Sequence, residues 1–165
     1  MALKEDVEND VKKIFKDTWT VRDGKVIPDD SSVTLGNDGV RIQATVLYAD
    51  LAKSTQTVKN NLDTTSAEIY KAFLVSTCKV IRANGGVITS FDGDRVMSVF
   101  MGNTSNTNAT KTALQVNYTI LKIVQPAFEL QYKDSKYKFE FGIGVDTSST
   151  LVAKTGIEEQ MTLYG

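Results

Sequence analysis

Residues 83–100 read ANGGVITSFDGDRVMSVF, and the fold turns on how this stretch is read. Val87–Phe91 and Val96–Phe100 are short apolar and β-branched runs on either side of Asp92-Gly93, a strong signal for a tight hairpin. The Asn84-Gly85-Gly86 triplet ahead of them is a helix stop, because left-handed backbone is cheap there. Upstream, Ile69, Phe73, Leu74, Thr77, Val80 and Ile81 recur at helical spacing. A helix beginning near Thr64 or Ser66 therefore runs into the hairpin.

Further upstream, RIQATVLY at residues 41–48 is β-branched and apolar and leads to Asp50, which predicts a core strand. Downstream of the hairpin, residues 102–108 are polar loop. Ala113, Val116, Ile120 and Ile123 then predict a second long helix from Ala109 to about Ile123, broken near Pro126. FEFGIGV at residues 139–145 is a further strand, with Thr150–Ala153 as a partner for it. The order is strand, helix, strand, strand, helix, strand. It predicts an α+β fold of the ferredoxin-like split βαβ type, with helices packed on one face of an antiparallel-rich sheet. Leu3, Val7, Val11, Ile14 and Phe15 form an amphipathic helix, and VRDGKVIPDDSSVTLGNDG at residues 21–39 is turn and loop chemistry. The expected division is residues 1–38 as N-terminal helix and loop, 39–157 as one domain and 158–165 as a separate tail.

Composition narrows the chemistry. A net charge of −1 over 165 residues gives no reason to expect a nucleic-acid or acidic membrane partner. There is no apolar run long enough for a bilayer, and MALKEDVENDVKK lacks the apolar stretch of a secretory signal, so a cytoplasmic setting is expected. The single cysteine, Cys78, lies in an apolar helical pattern and reads as a small buried hydrophobe. With no histidine, catalysis and metal binding must use carboxylates, hydroxyls, Lys, Arg or backbone groups.

In the split βαβ order the first strand lies beside the hairpin, so Asp50 at its end and Asp94 at the hairpin turn can converge. Two carboxylates are hard oxygen ligands suited to two Mg²⁺ or Mn²⁺ ions with positions left open for phosphate oxygens. Such ions can activate a ribose hydroxyl and neutralise a pyrophosphate leaving group. LAKST at residues 51–55 supplies backbone N–H groups and small hydroxyls at a strand-to-helix junction, suited to a triphosphate. Asp at a strand end and Asp-Gly in a hairpin are also ordinary turn chemistry. Arg95 has two readings, phosphate contact or ion pair; Lys53 is a charge partner or an exposed loop lysine. Asp92 reads as a turn residue, and Trp19, Phe139 and Phe141 as packing residues.

ATVLYADLAKST at residues 44–55, followed by ANGGVITSFDGDRVMSVF, resembles the two signature segments of class III nucleotidyl cyclases. The match continues into FGIGVDTSSTLVAKTGI at residues 141–157, and the wording is most similar to the Pycsar pyrimidine cyclases of bacterial anti-phage defence. The resemblance implies that Asp50 and Asp94 bind both metals, that the Leu51 carbonyl adds a ligand, and that the amides of Ala52, Lys53, Ser54 and Thr55 hold phosphates. It also implies a head-to-tail homodimer acting on a nucleoside triphosphate. Purine-specific members place Lys or Glu three residues before the hairpin glycine, where this chain has Ser90. The family usually has Phe two residues before the first metal Asp, where this chain has Tyr48. A narrower pocket with hydroxyl readers suits UTP or CTP, giving cyclic UMP or cyclic CMP; equally, Tyr48 is a core aromatic and Ser90 a sheet-surface residue.

The resemblance also has gaps. Family members continue into a strand and helix carrying an Asn and an Arg or Lys, and the Gly expected after Asp146-Thr147 is Ser148. The tail GIEEQMTLYG is what a coding string for GIRGANDFIWVG yields after loss of one nucleotide, so residues 158–165 are expected to be out of frame. Such a chain is expected to be weakly active or inactive. The competing readings are an adenylate or guanylate cyclase and a non-catalytic cyclase-homology module. A diguanylate cyclase would carry a Gly-Gly-Asp/Glu-Glu-Phe hairpin, which is absent here.

Overall fold

The computed structural model describes residues 2–29 and 31–155, and the backbone of residues 161–164. In chain order the elements are α1 (Ala2–Lys16), β1 (Thr20–Asp23), β2 (Asp38–Leu51), α2 (Ser54–Asn60), α3 (Asp63–Ala83), β3 (Val87–Asp92), β4 (Arg95–Phe100), α4 (Ser105–Thr119), a π-helical turn (Ile120–Val124), α5 (Gln125–Gln131), β5 (Phe141–Lys154) and β6 (Met161–Tyr164). They form two compact units, Ala44–Thr147 and Met1–Gln43 with Ser148–Gly165, so β2 and β5 each contribute to both.

In the unit Ala44–Thr147 the strands are ordered β3-β4-β2-β5. That is the split βαβ order expected from the sequence. β2 is antiparallel to β4, with Tyr48 opposite Met97 and Asp50 opposite Arg95. The Ala52 N–H donates to the Glu140 carbonyl at 2.8 Å, and the Thr45 and Thr147 hydroxyls lie 3.0 Å apart. Both contacts share one antiparallel register, which sets Tyr48 opposite Gly144 and Asp50 opposite Gly142. Leu47, Ala49 and Leu51 are buried with Ile69, Phe73 and Ile81 of α3 and Val116 and Ile120 of the α4 segment. Alternation along β2 therefore turns Tyr48 and Asp50 to the opposite, open face. The α3 stripe is buried as its periodicity demands, Cys78 included. Phe139 joins Phe128, Tyr132 and Tyr137 in an aromatic cluster, and Phe141 packs on Phe73.

Several expectations are corrected. β2 is longer than residues 41–48, and β5 is one continuous strand where two were expected. A short helix, α2, precedes α3, which begins at Asp63. The hairpin turn is Gly93-Asp94, because Asp92 pairs with Arg95. Pro126 does not break the second helix. A proline ring clashes with the carbonyl one turn back, and the wider π turn at residues 120–124 relieves this, with Pro126 in the first turn of α5. The extra residue per turn shifts the apolar stripe, so Ile123 is exposed and Val124 packs on the core.

In the other unit, Val21-Arg22-Asp23, expected as loop, forms β1, which runs parallel to β2 from Thr20 opposite Asp38 to Asp23 opposite Arg41. Asp38 fixes this segment. Its carboxylate accepts from the Thr34 N–H at 2.8 Å and from Arg22 at 2.6 Å. Trp19 is half-exposed rather than packed, and the apolar stripe of α1 is exposed along its length. The tail assigned to residues 158–165 lies largely outside the described residues, apart from the backbone of β6, which pairs with Leu151–Lys154. No helix among the described residues is long and apolar enough to cross a membrane.

Candidate active site

The two sequence-selected aspartates lie at the same end of the β2–β4 pair. Asp50 sits opposite Arg95, the chain neighbour of Asp94. The Arg95 guanidinium donates to Asp50 Oδ2 at 3.1 Å, and both side chains are half-exposed. Of the two readings of Arg95, the ion pair is the one present. Asp94 is placed by the turn. Gly93 has φ +59° and Asp94 does not have positive φ, the pattern of a two-residue hairpin turn with glycine first. Asp94 Oδ2 is buried without a hydrogen-bond donor among the described residues. Burial, followed by the negative charge of Asp94, pushes the Tyr70 hydroxyl above its ordinary pKa.

These groups fit a divalent cation. A buried carboxylate oxygen without a donor is costly unless something positive satisfies it. No cluster of three or more His, Cys, Asp or Glu side chains occurs among the described residues. Two carboxylates would therefore need carbonyl, water or phosphate oxygens to complete a coordination shell, which is the habit of Mg²⁺ and Mn²⁺.

The 51–55 segment is divided in its use. The Ala52 amide is committed to Glu140 in the sheet, so it is not free to hold a phosphate. Lys53 adopts left-handed backbone, φ 59° and ψ 32°, immediately before the helical residues of α2. Left-handed followed by right-handed residues turns successive N–H groups toward one concavity, a conformation that binds anions. The N–H groups of Gln56 and Thr57 return to the Lys53 carbonyl at 2.9 and 3.0 Å, leaving the amides of Lys53, Ser54 and Thr55 at the open end of the turn. The Lys53 ammonium pairs with Glu140 at 2.7 Å and stays largely exposed. The Tyr70 hydroxyl donates to the Ser54 carbonyl at 3.1 Å and ties the turn to α3.

A cavity of about 610 Å³ is lined by Tyr48, Asp50, Leu51, Ala52, Arg95, Gly142, Ile143 and Gly144. Four of the expected residues, Tyr48, Asp50, Leu51 and Ala52, line it. Lys53 and Ala52 line a second cavity of about 180 Å³ with Lys136 and Lys138. Ser90 lies on β3 opposite Met97, which in turn lies opposite Tyr48. The two expected base readers therefore share a cross-strand row but are separated by Met97. Sequence reasoning missed Tyr70, Glu140, Gly142 and Gly144. Alternate glycines in FEFGIGV were a readable signal for the last two; Tyr70 and Glu140 carry none.

No family model matches the chain. A uridylate cyclase from Xanthomonas perforans is 40% identical over 157 residues, covering 94% of this chain and 68% of the relative. One from Rhodovulum sp. (strain MB263) is 39% identical over 160 residues, covering 95% of this chain and 67% of the relative. Among solved structures, a class III adenylyl cyclase-like ATP-binding protein from Pseudomonas aeruginosa superposes with a TM-score of 0.73 at 14% identity, covering 98% of this chain and 37% of that one. That likeness concerns the fold, and it agrees with the strand order and the hairpin described above. With close to two-fifths identity across almost its whole length, the chain belongs to the uridylate cyclase family, and its fold is that of the class III cyclase-like neighbour.

Proposed function

We propose that this chain cyclises a pyrimidine nucleoside triphosphate, UTP or CTP, to its 3′,5′-cyclic monophosphate. The 3′-oxygen attacks the α-phosphorus in line, its proton passes to solvent, and the α–β phosphoanhydride bond breaks to release pyrophosphate. The observation that carries the reading is the donor-less Oδ2 of Asp94, placed next to the residue opposite Asp50. Asp50, Asp94 and the Leu51 carbonyl would hold two Mn²⁺ or Mg²⁺ ions. Bound there, the ions would lower the pKa of the 3′-hydroxyl and offset charge on the leaving group. The amides of Lys53, Ser54 and Thr55 would orient the phosphates. Tyr48 would bound the nucleoside, with Ser90 reading the base from an adjoining position.

We assign this activity to residues 39–157 working as a head-to-tail homodimer in the cytoplasm, with the cyclic nucleotide as a signal in anti-phage defence. Manganese titration followed by electron paramagnetic resonance, with α,β-methylene-UTP present, tests the metal assignment. Asp50→Asn and Asp94→Asn should each weaken Mn²⁺ binding at least tenfold. Equal binding by both variants and the parent chain would refute the assignment.

A further inference from the structure

Gly142 and Gly144 are two strand glycines that the chain itself does not require. Neither has the left-handed φ that favours glycine. A Cβ added to either meets no atom within 4 Å. Glycine in the middle of a strand costs backbone entropy and gives up side-chain packing, so it usually marks a close approach by a ligand or another backbone. Here the two glycines alternate along β5 and face the same cavity. Gly142 lies across from Asp50 and Gly144 across from Tyr48. On the far side of β2, Arg95 and Met97 complete the two rows. The floor of the cavity is thus bare backbone exactly one strand from a carboxylate and from an aromatic ring.

We infer that the bound nucleotide lies directly against the backbone of Gly142 and Gly144, its phosphate end over Gly142 beside Asp50 and its nucleoside end over Gly144 beside Tyr48. This rests on the nucleotide reading proposed above and adds a steric determinant of it. A ribose and a planar base can settle on a strand without side chains, while any β-carbon would lift them away from the Asp50 and Tyr48 row. The cavity volume of about 610 Å³ lies within the range of small-ligand sites.

The test uses Gly142→Ala, Gly144→Ala and Gly144→Val in the full chain. Because the added atoms meet open space, the melting temperature should be unchanged or raised. Calorimetric titration with α,β-methylene-UTP and Mn²⁺ should show binding at least threefold weaker for the alanine variants and at least tenfold weaker for Gly144→Val. Unaltered affinity in all three variants would overturn the inference. So would a shift in oligomeric state at unaltered affinity, which would place a second copy's backbone on the glycines instead. Absence of nucleotide binding by the parent chain would remove the nucleotide reading itself, and this occupant with it.

Discussion

Asp94 carries an energetic cost that Asp50 does not. Asp50 is half-exposed and paired with Arg95, an arrangement worth at most about 1 kcal/mol. Asp94 Oδ2 is buried with no donor among the described residues, which costs roughly 1–3 kcal/mol in the absence of a partner. Asp94→Asn should therefore leave the melting temperature unchanged or raise it, while lowering cyclase turnover by about 10²-fold or more, as removal of charge stabilisers does. A variant that lost stability and activity together would make Asp94 a structural residue. Lys53 is held in a similar imbalance. Left-handed backbone costs a non-glycine residue about 1–2 kcal/mol, more than its exposed pair with Glu140 returns. Strain of this kind clusters at ligand sites, in keeping with the anion turn proposed for it. Asp38 shows the opposite behaviour. The Thr34 N–H, then Arg22, holds its carboxyl below the usual carboxylate range. A depressed carboxylate stabilises the fold fully above its unfolded pKa of 3.8, and that contribution is lost as pH falls through the lower folded value. Asp38→Asn should therefore destabilise the chain at neutral pH and flatten the acid limb below about pH 4 in a pH series of thermal melts.

At the scale of elements, what could be read from sequence was periodicity and what could not was long-range compensation. The stripe Ile69, Phe73, Thr77 and Ile81 fixed the buried face of α3 because helical spacing and burial are the same fact. Its end was equally legible. Gly85 takes φ +80°, and the Gly86 N–H returns to the Ile81 carbonyl at 3.0 Å. Gly86 also abuts the core, where a Cβ would fall 2.5 Å from Phe100 Cζ and 2.7 Å from Ile81 Cγ2. Gly86→Ala should cost about 1–3 kcal/mol through overpacking, measured by denaturant unfolding. An unchanged unfolding midpoint would contradict the close approach. The π turn before Pro126 was not legible, since proline predicts a break unless the backbone upstream can widen, and nothing local says that it will. β1 was hidden for a related reason. Its four residues are all exposed and sit among loop-forming Asp, Gly and Pro, so only pairing with a distant strand defines it.

For the whole molecule, the split βαβ order explains why two aspartates 44 positions apart in sequence share one sheet end. The first strand of the motif must lie beside the hairpin, and the hairpin must turn at Gly93-Asp94 once Asp92 pairs with Arg95. That much of the site followed from the sequence, because topology alone positions it. The Tyr70 link to Ser54, the loss of the Ala52 amide to Glu140 and the separation of Ser90 from Tyr48 by Met97 depend on packing and register, which the sequence does not carry. The central claim is that this arrangement cyclises a pyrimidine nucleotide. Its most direct test is to incubate the chain with Mn²⁺ and, separately, UTP, CTP, ATP and GTP, identifying products by mass spectrometry. The expected products are cyclic UMP or cyclic CMP with pyrophosphate, with no cyclic purine and no product from Asp50→Ala. Cyclic AMP or cyclic GMP as the main product would contradict the claim.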